Sequence, residues 1–384
     1  MNADLPNPLR SVHQQANAEM QPYADLEIVS TFNEPQAEYS AIHTGCGLMD
    51  LPQRGIIEVT GKDRHTFLNN LLTNELVSRE TRKPMAAGEG AYAFLLNNKT
   101  GRITFDLNVL ELGDRTIIEM DARLVLPFFE LLDRYRFSEQ VKWESRVGLL
   151  HEIALHGPEV MEIAARALDA LPGLPRTHTC GSARVLGQDV AIWRDDVCGV
   201  PGLHLIVPTA HASAIWSDLV TRFGAVNDVQ YSRKQIRPIG WAAFNSCRIE
   251  AGRPLFGIDF DDSVLPLELS LAPRGVSFTK GCYPGQEIVA RMHARQQVSR
   301  QLVGLRMEED ALPVAGTIIY DDANNQIGGI TSSTVSPILS NACIAMGYLK
   351  KPHFAIGAIV NVPAEGKMRK AKVVGMPFVQ APEV

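Results

Sequence analysis

The chain has 384 residues, 45% hydrophobic and 21% charged, and its 37 basic and 43 acidic residues leave a formal charge of −6. This is the usage of a folded chain of two to three domains, and it excludes disordered and fibrous classes. The acidic balance lacks the footprint of a nucleic-acid binder, and no apolar run approaches the roughly 20 residues of a membrane span, so neither nucleic acid nor membrane is expected as a partner.

Residues 1–23 are polar, with Asp4, Arg10 and Glu19 and no apolar stretch of the signal-peptide kind. Cysteines at 46, 180, 198, 247, 282 and 343 form no CxxC pair, so a disulfide framework and a metal site are not expected and a reducing cytoplasm is.

Residues 1–37 read as a loosely structured lead-in with a helix around residues 9–20. The glycine pair and proline of GCGLMDLP, 45–52, mark a loop. A strand at 55–61, a helix at 63–76, a hairpin of 92–96 and 102–112 about NNKTG, a strand at 116–120, a helix at 124–135 and a strand at 140–144 follow. Strands at 151–156, 183–193 and 203–207 and helices at 159–171, 213–223 and 240–250 make a second α+β unit. Residues 253–300 are dense in proline, glycine and charge and read as functional loops. Six short strand-like runs between 301 and 375, punctuated by turn residues, predict a β-barrel.

The sharpest local feature is KGCYPGQEIVAR, residues 280–291. Cys282 sits on a tight turn before a helix expected to start at Gln286 and Glu287, with Lys280 and Arg291 supplying positive charge; this is either a reactive or ligand-binding thiol or a buried turn cysteine. Asp106 is either a proton-handling carboxylate or an exposed strand-edge residue. Arg248 and Glu250, two apart on a helix, cannot share a face, while Asn245 lies one turn from Arg248. Arg291, His293, Arg295 and Arg300 form a solvated basic face or a dock for an acidic group. The histidines at 43, 65, 151, 156, 204, 211 and 293 show no metal spacing, Asp259, Asp261 and Asp262 lack the EF-hand pattern, and no nucleotide-binding glycine motif is present.

KGCYPGQE resembles the signature of YgfZ-type proteins, which are related to the GcvT aminomethyltransferase family. The resemblance extends in order through GCGLMDL (45–51), NKTGRITFDL (98–107), GWAAFNSCRIEAG (240–252) and GGITS (328–332), spanning roughly residues 38–375. It implies an α+β, three-lobed fold around a central cavity: a lead-in at 1–37, two interleaved α+β lobes within 38–298, and a C-terminal β-barrel at 299–384. It implies binding of tetrahydrofolate or a related reduced folate. It also implies an accessory role toward iron–sulfur enzymes or their assembly proteins as partners, with aminomethyl transfer as the alternative. The site residues it implies are Cys282 and Asp106 for chemistry, and Asp106, Asn245, Arg248, Glu250, Lys280, Tyr283, Gln286, Glu287 and Arg291 for the ligand.

Two departures from the transferase pattern favour the accessory role. Phe105-Asp106 stands where that pattern has adjacent acids. In DVCGVPGLH, 196–204, Val200 and His204 stand where it has carboxylates, so the expected pterin clamp is missing and glycine-cleavage activity is expected to be negligible.

Overall fold

The computed structural model describes residues 7–224 and 236–380; positions 1–6 of the lead-in lie outside the described residues. The fold is the expected α+β arrangement ending in a closed six-stranded barrel.

Two sheets dominate the first 280 residues. The five-stranded sheet runs Gly90–Leu96, Ile103–Glu111, Thr116–Asp121, Arg54–Thr60, Lys142–Ser145, antiparallel throughout. The six-stranded sheet runs Cys180–Val185, Gln188–Arg194, Gly202–Pro208, Leu150–His156, Cys46–Asp50, Ile236–Pro238, with only the last pair parallel.

Each sheet buries its outer face under helices. Ile57, Val59, Phe105, Leu107, Val109, Ile118 and Met120 pack with Phe67, Leu68 and Leu71 of helix Arg64–Leu71 and Val125, Phe128 and Leu132 of helix Val125–Tyr135. Ile153, Leu155, Val190, Ile192, Leu203, Leu205 and Val207 pack with helices Val160–Ala167 and Thr209–Phe223. Alternate residues point to opposite faces of a strand. The inner faces therefore meet each other, through Ile56, Leu110 and Ile117 from one sheet and Ala191, Trp193 and Ile206 from the other. The remaining inward positions carry polar side chains.

Three sequence expectations change. The lead-in is structured: helix Arg10–Gln15 and the hairpin Glu19–Tyr23 with Leu26–Thr31 dock on the body, with Leu9 and His13 fully buried. The segment read as a glycine loop is the wholly buried strand Cys46–Asp50. Gly47 there lets Ile239 and Ile42 approach, since a Cβ would meet Ile239 Cδ1 at 2.8 Å. The single strand expected at 183–193 is a hairpin turning at Leu186 and Gly187, both with positive φ. The helix expected to start at Gln286 runs Gln286–Arg295, inside the segment read as loops.

The barrel follows the six expected runs, Arg300–Met307, Ile318–Tyr320, Gln326–Ser336, Ala342–Lys350, Ile359–Ala364 and Lys367–Val374, and closes by pairing its last strand with its first. Helix Trp241–Glu250 lies against the Gln326–Ser336 strand, where Ser246 Oγ and Thr334 Oγ1 are 2.7 Å apart. Among the described residues no helix is long and apolar enough to cross a membrane, and the six cysteines are free thiols.

Candidate functional site

The inward polar side chains converge on a cavity of about 120 Å³ between the two sheets. The five-stranded sheet contributes Arg54, Tyr92, Asp106, Asn108 and Glu119, and the six-stranded sheet His156, Trp193 and His204. Tyr23 of the N-terminal hairpin, Trp241 and Phe244 of the central helix, Phe256, and Arg274 with its partner Asp195 complete the wall.

Strand periodicity sets this lining. On Ile103–Glu111 the side chains of Phe105, Leu107 and Val109 enter the outer core, so Asp106 and Asn108 face inward. Phe105 therefore takes no cavity position, and an acid there would point into the apolar layer. The expected loss of a catalytic carboxylate at 105 is corrected on this ground. The same alternation turns Glu152 and His156 inward from Leu150–His156, between Ile153 and Leu155.

Asp106 Oδ2 accepts a hydrogen bond from Tyr92 Oη at 3.1 Å, while Oδ1 is buried without a partner. Burial pushes the carboxyl up from 3.8 to about 6, against the pull of Arg54 and the Tyr92 hydrogen bond. Arg54 is spent mainly on Glu119, which also accepts from Asn108 Nδ2 at 2.7 Å. That attraction outweighs burial and holds Glu119 below its ordinary range.

Glu152 Oε1 accepts from His204 Nδ1 at 2.7 Å and from Trp193 Nε1 at 3.3 Å. Burial alone would strip the His204 proton, but the Glu152 bond overcomes it and the imidazole is raised. His156, whose ring centroid lies 5.7 Å from that of His204, is pushed down to about 3 by burial and by the His204 charge. Both nitrogens of His156, Nε2 of His204, Oε2 of Glu152 and Oε1 of Gln53 have no hydrogen-bond partner. Buried polar atoms in this state mark a site that a ligand or water completes.

The anticipated clamp loop has another construction. Gly199 makes its turn at φ +73°, and Val200 is buried in the apolar cluster of Ile42, Met49, Leu51 and Ala154, outside the cavity lining. His204 does face the cavity, and the carboxylate beside it is Glu152. Acids are thus present in the cavity, at sequence positions other than those of the resemblance. Arg54, Glu119, Glu152, His156 and Asp195 were missed, although each interrupts or adjoins an apolar strand pattern.

Of the sequence-derived candidates only Asp106 lines the cavity. Arg248 is fully buried and joins helix, loop and barrel: it donates to Asp259 at 2.7 Å, Asn245 at 2.9 Å, the Arg253 carbonyl and Ser332. Glu250 accepts from Tyr39 Oη at 2.7 Å and from Ser336 Oγ.

Lys280 is buried and gives its three donors to the carbonyls of Asn69, Leu72 and Asn74. Tyr283 enters the apolar cluster between the five-stranded sheet and the barrel. Gly285, at φ +79°, lets the segment close on the hairpin turn, where a Cβ would meet the Asn97 carbonyl at 3.0 Å. Gln286 is half-buried, and Cys282, Glu287 and Arg291 are exposed. KGCYPGQE thus fastens a loop onto a hairpin, with its thiol outward.

A model of the GCVT N-terminal domain matches residues 9–280, and one of the glycine cleavage T-protein C-terminal barrel domain matches 300–380. A protein named aminomethyltransferase from Chloroherpeton thalassium is 28% identical, covering 97% of this chain and 98% of its own length. One of the same name from Saccharopolyspora erythraea is 27% identical over 98% of this chain and 99% of its own. The crystal structure of glycine cleavage system aminomethyltransferase T from Bartonella henselae superposes with a TM-score of 0.84 at 25% identity, covering 97% and 98% of the two chains. End-to-end similarity to proteins of that name overturns the iron–sulfur accessory role expected from the KGCYPGQE resemblance, and with it the iron–sulfur partners. With both its first 280 residues and its barrel matched, the chain belongs to the GcvT family.

Proposed function

We propose that this chain is a tetrahydrofolate-dependent aminomethyltransferase of the glycine-cleavage type, acting in the cytoplasm. The observation that carries the reading is the partnerless Oδ1 of Asp106 in an aromatic-walled cavity.

A pterin is a flat heteroaromatic with N–H donors along one edge and a carbonyl acceptor on another. The cavity fits it. Asp106 Oδ1 and Gln53 Oε1 are partnerless acceptors in its lining, and His204 Nε2 is a partnerless donor once its ring is charged, with Glu152 behind it. Tyr23, Trp193, Trp241, Phe244 and Phe256 supply the apolar body such pockets require. The adjoining open cleft, which shares Tyr92 and Arg274, carries Lys83 and Arg176 beside Glu75 and Glu89, with Arg176 3.7 Å from Glu89, and its cations suit an acidic glutamyl tail.

Tetrahydrofolate, when bound, supplies the two amines that take up a one-carbon unit. Asp106 has the proton affinity for the accompanying transfer: a carboxyl near 6 holds both protonation states close to neutral pH, and Oδ1 is the free atom. Tyr92 orients it by holding Oδ2. Tyr92 keeps its own proton, because burial and the Asp106 charge push it far above its ordinary range. Within this proposal KGCYPGQE serves the fold, holding its loop against the hairpin turn at residues 97–101.

The test is reconstitution with an aminomethylated lipoyl carrier and tetrahydrofolate, following methylenetetrahydrofolate and ammonia. The wild type should turn over, and Asp106→Asn should lose about 10²–10⁴ of the rate. A wild type that binds folate but gives no product defeats the reading.

A further inference from the structure

A second cluster lies apart from the cavity, where helix Pro35–Thr44 crosses helix Trp241–Glu250. His43 Nε2 is 3.2 Å from Glu250 Oε2 and 3.5 Å from Cys247 Sγ, and the three atoms lie within 4.8 Å of one another. We propose that His43, Cys247 and Glu250 form a binding site for a borderline-soft divalent cation of the zinc type.

One imidazole nitrogen cannot serve both neighbours at once. A neutral Nε2 carries either a hydrogen or a lone pair. With the hydrogen it serves Glu250 and leaves the weak thiol donor aside. With the lone pair it accepts from Cys247 and opposes the carboxylate. A cation at the centre meets all three groups at once.

The spacing agrees. Tetrahedral zinc, with bonds of about 2.3 Å to sulfur and about 2.0–2.1 Å to nitrogen and oxygen, sets N···S near about 3.6 Å and N···O near about 3.3 Å. Cys247 and Glu250, three apart, share a helix face. Glu250 is oriented from behind, because Tyr39 and Ser336 both donate to Oε1 and leave Oε2 toward the trio. Such outer partners are what metal-ligating groups require.

On binding, Cys247 releases its thiol proton to solvent, His43 ligates as the Nδ1–H tautomer, and Glu250 ligates as carboxylate. Thiolate and carboxylate neutralise the cation, so the buried assembly has no net charge. His43 is the partly exposed member, with 16% of its side chain accessible against 2% for Glu250, so water can complete the fourth position. The ion would tie two helices to the barrel through Ser336.

The test uses the full chain, freed of metal by a chelator and titrated with Co²⁺ alone. Expected is one equivalent bound, with tetrahedral visible bands and a thiolate-to-cobalt charge-transfer band that Zn²⁺ abolishes. Cys247→Ser should remove the charge-transfer band, His43→Gln should weaken binding at least tenfold, and Cys282→Ser should change neither. No tetrahedral spectrum in the wild type overturns the site, as does a charge-transfer band lost with Cys282 and kept without Cys247. Should Cys247→Ser fail to fold, His43→Gln decides: a partly exposed glutamine leaves the fold intact, and unchanged Co²⁺ affinity there refutes the proposal.

Discussion

Replacing Asp106 with asparagine should remove the activity and make the stability, relative to wild type, rise with pH. The Asp106 carboxyl titrates at about 6 in the folded chain, raised first by burial, and at about 3.9 when unfolded. A raised acid favours its protonated form in the fold. Its contribution to stability is therefore intact below about pH 4, falls as pH rises to about 6, and stays low above. Two pKa units correspond to about 3 kcal/mol. Asparagine does not titrate, so the stability of Asp106→Asn minus wild type should climb by about 2 kcal/mol between pH 4 and pH 7. The asparagine carbonyl can still accept from Tyr92. Its amide then occupies the partnerless Oδ1 position, a penalty of about 1–3 kcal/mol that shifts the curve without changing its slope. Urea unfolding of both proteins at four pH values, without folate, measures that slope. A flat difference would refute the assigned burial of Asp106, whatever the intercept.

Other expectations are equally direct. His156 is held neutral down to about pH 3. Because this folded value lies below the unfolded one, it costs stability as pH falls below about 6.5, by up to about 1.4 kcal/mol per pH unit, and His156→Phe should flatten the acid limb of the unfolding curve. Arg248→Met should destabilise by about 3–5 kcal/mol by leaving Asp259 buried and unpaired, and Asp259→Leu in the same chain should recover much of the loss. Lys280→Met should cost about 3 kcal/mol or more by orphaning three carbonyls, against about 0.5 kcal/mol or less for Cys282→Ala at its exposed turn, both read by urea midpoints.

The elements were largely legible in the sequence, because helix and strand periods are local. The spacing of Val125, Phe128 and Leu132, the hairpin about Asn97–Gly101 and the barrel's short runs each declare themselves within a few residues. Composition misled where tertiary packing overrode it. Gly45 and Gly47 read as a loop, yet the strand is buried and its glycine admits Ile239.

Asp106 was legible as a candidate, but its exposure was not: only register shows that Phe105 enters the core and Asp106 the cavity. Arg248 and Glu250 looked like ligand groups because segment 240–252 resembles the family's helix end. Folding gives them partners at 39, 259, 332 and 336. The cavity itself joins side chains from position 23 to position 274. Chain order carries the period that turns each of these residues inward. Which of them meet is decided by how two sheets and a helix pack, and that packing alone strips water from Asp106 and brings His204 to Glu152.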